Sequence, residues 1–129
     1  MASWWVNSVA VASGGAIGAL GRFWLGNIVE QWQRGSFPFA TMLINVSGSF
    51  VLGLLSASVF AQTSFPHWLR LAIGVGVLGA FTTFSTFSVE TVRLFAAGQS
   101  WQALANVGGN LFGCLIGAAL GFWCARWLS

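Results

Sequence analysis

The chain has 129 residues, of which 57% are hydrophobic and only 5% charged, against roughly 25% charged residues in ordinary soluble domains. That excludes a water-soluble globule. All five basic side chains are Arg and both acids are Glu, for a net charge of +3, so the high pI reflects scarce acids rather than a basic patch, and nucleic acid is not an indicated partner.

A bilayer core of roughly 30 Å takes about 20 apolar residues at the helical rise, and polar residues mark where each span ends. The first span is predicted over 4–29, closed by Glu30, Gln31, Gln33 and Arg34, with one internal charge at Arg22. It lacks the basic front region of a signal peptide and is longer than a usual signal-peptide apolar run, so it is read as a span. Gly14 and Gly18 are one turn apart in it.

The second span, 38–61, holds no charge, and Thr41, Asn45, Ser49 and Ser56 fall at intervals of four, four and seven, which puts them on one helix face. The third, 68–95, starts near Trp68 and Arg70 and ends around Glu90 to Phe95. At its middle, five hydroxyl residues occupy the seven positions Thr82 to Ser88. Hydroxyls bond nearby backbone and interrupt helices, and irregular backbone at this depth is tolerated only inside protein or beside water. A break there frees carbonyl oxygens, a hard-cation ligand set.

The fourth span, 101–126, carries Asn106, Asn110 and Cys114 at one-turn spacing, and Gly109, Gly113, Gly117 and Gly121 likewise. These glycines mark faces of close backbone approach and support assembly rather than activity. Cys114 and Cys124 lie in this one segment without CxxC spacing or nearby His, so neither a disulfide framework nor a zinc site is indicated.

Separators at 33–36, 62–67 and 97–100 are short, which makes consecutive helices antiparallel neighbours. The runs are continuously apolar rather than alternating, against a β-barrel. The predicted fold is therefore an all-α membrane protein, one four-span domain over 1–129. Arg70 and Arg126 fall on the side of the termini and Arg34 and Arg93 on the other. Such a tie leaves the positive-inside rule nearly silent and suggests a chain that inserts both ways and pairs as an antiparallel homodimer.

Polar groups in hydrocarbon face a bundle interior or a cavity. The second- and fourth-span stripes offer carboxamides and hydroxyls, which donate hydrogen bonds, with no mid-span carboxylate to draw a cation. A path along them suits a small anion. The same asparagines also suit plain interhelical hydrogen bonding. Phe84 and Phe87, three apart, suit either packing or contact between their positive ring edges and an anion. Glu30 with Arg34 and Glu90 with Arg93 are read as helix-end ion pairs, and His67 as an interfacial loop residue.

Three stretches resemble one family. The third segment reads GVLGAFTTFSTFSVET from Gly76 to Thr91, with GRFWLG from Gly21 and INVSGSFVLG from Ile44. Over nearly its whole length the chain is similar to the Fluc-type fluoride channels, also called the CrcB family. The resemblance implies an antiparallel dual-topology homodimer in the bacterial cytoplasmic (inner) membrane, multi-pass, with two fluoride pores to which both subunits contribute.

Phe84 and Phe87 match the phenylalanines whose edges face fluoride, Asn45 the asparagine that helps bind it, and Ser85 and Thr86 the hydroxyls beside them. Gly79 and Thr82 match the third-helix break whose main-chain oxygens, from both subunits, hold a structural sodium ion. Arg22 matches a basic position read as drawing anions into a vestibule, with snorkelling to headgroups as the competing account. The chain departs from the family on the fourth helix: it has no Tyr and offers Asn106, Asn110 and Cys114 instead. Ala40 stands where a glycine is common. The resemblance implies a passive fluoride channel and no enzyme. A proton-coupled cation exporter, also a four-span antiparallel dimer, needs a mid-membrane carboxylate that is missing here; a non-transporting membrane subunit needs no such cluster of Phe and hydroxyls.

Overall fold

A computed structural model describes residues 3–128. It is all helix: α1 (Trp4–Trp32), α2 (Phe39–Ala57) with a 3-10 turn at Val59–Ala61, a third segment built of α3 (His67–Arg70), a π-helical stretch (Leu71–Leu78), α4 (Gly79–Phe81) and α5 (Phe84–Ala96), and finally α6 (Ser100–Trp127). Four helical stretches, Trp4–Trp32, Phe39–Ala61, His67–Ala96 and Ser100–Trp127, are long and apolar enough to cross a membrane.

The ends follow from local chemistry. Pro38 and Pro66 stand immediately before α2 and α3, where the missing N–H costs nothing. The turn from α5 to α6 is a Schellman motif: Gln99 N donates to Leu94 O at 2.9 Å and Gly98 N to Phe95 O at 3.0 Å, with Gly98 at φ +74°, a conformation glycine adopts without strain. So tight a turn folds α6 back against α5.

Two helix pairs dominate the packing: α2 against α6, and α1 against the π-helical stretch. Glycine sets both. A Cβ placed on Gly121 would lie 2.0 Å from Phe50 O, and one on Gly53 2.2 Å from Ala118 O, so backbones of α2 and α6 touch along a seam read from either side. Gly14 and Gly18 meet Ala72 O and Val77 O in the same manner. The glycine faces predicted to support assembly are thus consumed within a single chain. Packing this close replaces side-chain burial, which matters in lipid, where no hydrophobic effect drives helices together.

The interior inverts the soluble pattern. Among the described residues the buried apolar set is Ala40, Ile44, Leu78, Leu94, Ala103 and Ala125, and the buried polar set, Thr41, Asn45, Thr83, Thr91, Asn106 and Asn110, is just as large. Apolar side chains face outward, and Trp residues cluster near the helix ends: Trp4, Trp5 and Trp32 on α1, Trp68 on α3, Trp101, Trp123 and Trp127 on α6, all exposed. Amphipathic rings at both interfaces anchor such a bundle at headgroup depth.

Two expectations need correction. The α2 polar stripe stops short of Ser56, which is exposed and donates to its own Leu52 O at 2.6 Å. A serine hydroxyl with no other helix beside it bonds back to the preceding turn. Glu90 does not turn to Arg93. Its Oε1 accepts from Thr41 Oγ1 at 2.7 Å and its Oε2 is buried without a hydrogen-bond partner, because the side chain is directed inward at α2.

Candidate functional site

The site begins where the third segment leaves helical geometry. Thr82 (φ −78°, ψ 157°) and Thr83 (φ −150°, ψ 112°) are extended between Phe81 and Phe84. Thr83 then caps α5: its Oγ1 accepts from Thr86 N at 3.2 Å, the usual way a hydroxyl restarts a helix. Gly48 on α2 leaves room for this irregular stretch, since a Cβ there would lie 2.4 Å from the Thr82 methyl and 3.2 Å from the Phe81 ring.

Asn45 closes the backbone gap. Its Oδ1 accepts from Thr83 N at 2.7 Å and its Nδ2 donates to Thr83 O at 3.0 Å, so one side chain satisfies both backbone polar groups of Thr83. Nδ2 also donates to Asn110 Oδ1 at 2.9 Å. The predicted stripes on the second and fourth spans therefore meet at Asn45 and Asn110, in the middle of the bundle. Asn110 Nδ2 continues to Asn106 O at 3.1 Å and Asn106 Oδ1 at 2.9 Å.

A cavity of about 520 Å³ opens here, lined by Asn45, Ser49, Thr82, Thr83, Phe84, Phe87, Asn110 and Cys114 among others, with no charged residue on its wall. Phe84 is 79% exposed at its rim, and its ring centroid lies 5.3 Å from that of Phe87 at an interplanar angle of 60°. The tilt keeps the two ring planes from stacking. Gly79 also lines the cavity.

Other predicted residues take different places. Asn106 is fully buried, outside the cavity wall, and donates to Thr91 Oγ1 at 2.9 Å. Ser85 and Thr86 are exposed on the single chain and sit beside Thr83, whose Oγ1 donates to Thr86 Oγ1 at 2.9 Å and lies 3.4 Å from Ser85 Oγ. Arg22 is half-buried on α1 and lines neither this cavity nor the charged cleft below.

Sequence reasoning missed the roles of four residues. Thr83 sits inside the hydroxyl cluster, yet nothing in the spacing singles it out as the backbone partner of Asn45. Thr91 is separated from Asn106 by a helix end and a turn. Glu90 and Glu30, both carboxylates of the chain, come together with Gln33, Ser36, Arg93 and Gln99 around a second cleft of about 470 Å³. Thr41, one turn from Asn45 on α2, donates to Glu90 in that cleft, so the polar face of α2 runs from the cleft to the buried carboxamides. The four-residue spacing of Thr41 and Asn45 is the sequence signal that they share this face.

This is a multi-pass α-helical membrane protein whose interior presents uncharged hydrogen-bonding groups to a mid-bundle cavity. The chain belongs to the CrcB family: the family model described as CrcB-like protein, Camphor Resistance (CrcB), matches residues 9–122. Among its relatives is a fluoride-specific ion channel FluC of Methylococcus capsulatus, 45% identical over 120 residues; these cover 93% of this chain and 53% of that protein, so the chain spans about half that relative's length. FluC of Ruminiclostridium cellulolyticum is 39% identical over 124 residues, covering 96% of this chain and 95% of the relative. FluC of Magnetococcus marinus is 43% identical over 116 residues, covering 90% and 94%. Each of these names describes ion conduction, not catalysis.

Proposed function

We propose that this protein is a passive, fluoride-selective ion channel of the bacterial cytoplasmic membrane, acting as an antiparallel dual-topology homodimer with two pores. The observation that carries the reading is the cavity wall: mostly apolar, with leucines and the Phe84/Phe87 ring pair, a few neutral donors at Asn45, Ser49, Thr83 and Asn110, and no charged side chain. Fluoride sheds tightly held water to cross, so the wall must replace hydration while binding weakly enough to release the ion. Neutral donors meet both demands. A fixed mid-membrane cation would hold the ion, and a carboxylate would repel it.

Asn45 and Asn110 supply carboxamides at mid-bundle, the Ser85 and Thr86 hydroxyls lie in the first turn of α5, and the edges of Phe84 and Phe87 supply weak positive potential. A rim phenylalanine 79% exposed in one chain is explained if a second subunit completes the wall. Arg22, in this reading, attracts anions toward the entrance.

The interruption also suits a structural sodium ion held by main-chain oxygens of both subunits. In a continuous α-helix, Thr83 N would donate to Gly79 O and Thr86 N to Thr82 O. Here Thr83 N donates to Asn45 Oδ1 and Thr86 N to Thr83 Oγ1, which diverts the α-helical donors of both carbonyls. Carbonyl oxygens so released are hard ligands that fit sodium. When bound, the ion would neutralise these dipoles and fix the break; the permeation path itself runs over the side chains.

A proton-coupled cation exporter is disfavoured because Glu30 and Glu90 line the second cleft and not the mid-bundle cavity. Reconstitution of the purified protein separates the readings. Fluoride efflux from loaded vesicles is expected. Proton-coupled uptake of an organic cation, or no flux of either kind, would overturn the proposal.

A further inference from the structure

The buried carboxamides form one ladder whose direction is fixed by groups that have no choice of role. A backbone N–H only donates and a carbonyl only accepts. Thr83 N against Asn45 Oδ1 at 2.7 Å, and Thr83 O against Asn45 Nδ2 at 3.0 Å, therefore leave a single orientation for the Asn45 amide. The next contact, 2.9 Å from Asn45 Nδ2, must then be the Asn110 oxygen. Asn110 Nδ2 is left to donate to Asn106 O and Oδ1. Asn106 Nδ2 in turn donates to Thr91 Oγ1 at 2.9 Å, and the Thr91 proton goes to Phe87 O at 2.8 Å. The ladder starts on the interrupted backbone at Thr83 and ends on the backbone of a cavity-lining phenylalanine.

Two consequences follow from counting protons. An amide carries two, and both on Asn45 already have acceptors, Thr83 O and Asn110 Oδ1. An anion in the cavity can take one only by displacing an acceptor. Asn106 and Thr91 are buried and neither lines the cavity, unlike Asn45 and Asn110, so neither touches an ion there directly.

We propose that Asn106 and Thr91 are positioning residues that hold the Asn45–Asn110 pair in this single orientation, and that permeating fluoride takes one Asn45 N–H by displacing Asn110 Oδ1. The proposal rests on the channel reading above and adds residues and a step to it. Hydrogen bonds to an ionised acceptor are roughly twice as strong as neutral ones, so fluoride wins the proton while it is in contact. Asn110 Oδ1 stays close by because Asn106 holds the other end of its amide, and it recloses on Asn45 as the ion moves on. An internal competitor of this kind keeps the site from trapping the ion. The Thr83 O bond is the less exchangeable of the two, since the Asn45 amide is clamped to Thr83 at both ends, its Oδ1 by Thr83 N and its Nδ2 by Thr83 O.

The test uses the intact dimer with 15N-labelled asparagine. Titration of fluoride is expected to shift the side-chain amide resonances of Asn45 and Asn110 together, and equal chloride to shift neither. Thr91→Val is expected to shift the same resonances without ligand and to slow fluoride efflux about three- to tenfold, the scale of one lost hydrogen bond; Thr91→Ser restores both. Wild-type efflux with fluoride moving Asn45 but not Asn110 would overturn the acceptor exchange. Thr91→Val that lowers only thermal stability, with amide resonances and efflux per dimer unchanged, would overturn the positioning role. Absent wild-type efflux is a different failure, that of the channel reading itself.

Discussion

Asn45→Asp is expected to slow fluoride efflux from proteoliposomes at least a hundredfold, roughly 2.7 kcal/mol at 1.36 kcal/mol per factor of ten, while the protein still elutes as the wild type does. The substitution removes both amide protons at a side chain only 8% exposed. The oxygen that replaces Nδ2 would face Thr83 O and Asn110 Oδ1, the two acceptors now bonded at 3.0 and 2.9 Å, and leaving a buried charge uncompensated costs about 3–5 kcal/mol. Protonation relieves this only in part, because a carboxylic acid has one proton to give where the amide has two. Whichever form prevails, a permeating anion meets either a negative charge or a half-satisfied backbone. Phe84→Ile, which keeps apolar bulk and removes the ring edge, is expected to depress efflux as well. Rates for both variants within threefold of wild type would remove Asn45 and Phe84 from the path.

Gly121→Val is expected to be the most damaging packing change. A Cβ at that position would lie 2.0 Å from Phe50 O and 2.9 Å from Leu54 N. Both neighbours are backbone atoms of α2, so no side-chain rotation relieves the clash. Overpacking of this type costs about 3 kcal/mol or more, and the only relief is to part α2 from α6, which also parts Asn45 from Asn110. A fall of about 10 °C or more in the thermal midpoint is expected. Gly108→Ala on the same helix serves as control: nothing lies within 4 Å of a Cβ there, and alanine favours the helix by up to about 1 kcal/mol. Equal melting of Gly121→Val and wild type would show that the α2 and α6 backbones are not held in contact.

The residues that carry the bundle are legible in the sequence because lipid imposes a length and an exclusion of charge. Spans predicted over 4–29 and 101–126 correspond to helices Trp4–Trp32 and Ser100–Trp127, and the differences are polar or Trp-bearing end turns that a charge-based boundary cuts off. Asn45, Asn106 and Asn110 stand out as costly groups in an apolar setting, and their four-residue spacing places them on faces. Their partners do not stand out. Thr91 looks like an ordinary helix-end threonine until α6 folds back and sets Asn106 Nδ2 at 2.9 Å from it. Glu90 and Arg93 sit three apart, the spacing of a surface pair, yet burial turns Glu90 to Thr41 on another helix. Spacing along one helix reports which residues share a face; it does not report which neighbour that face meets. The glycine stripes illustrate the same limit, since Gly121 and Gly14 announce close approach without saying that α2 and the π-helical stretch of the same chain are what approach them.

The central claim is that neutral donors and ring edges replace the water of one small anion and not of larger ones. The most direct measurement loads vesicles containing only the purified protein with equal fluoride and chloride and follows both with ion-selective electrodes after the counter-ion is released. Prompt fluoride efflux with chloride retained is the expected result. Vesicles as tight to fluoride as protein-free lipid, or fluoride and chloride leaving at the same rate, would contradict it.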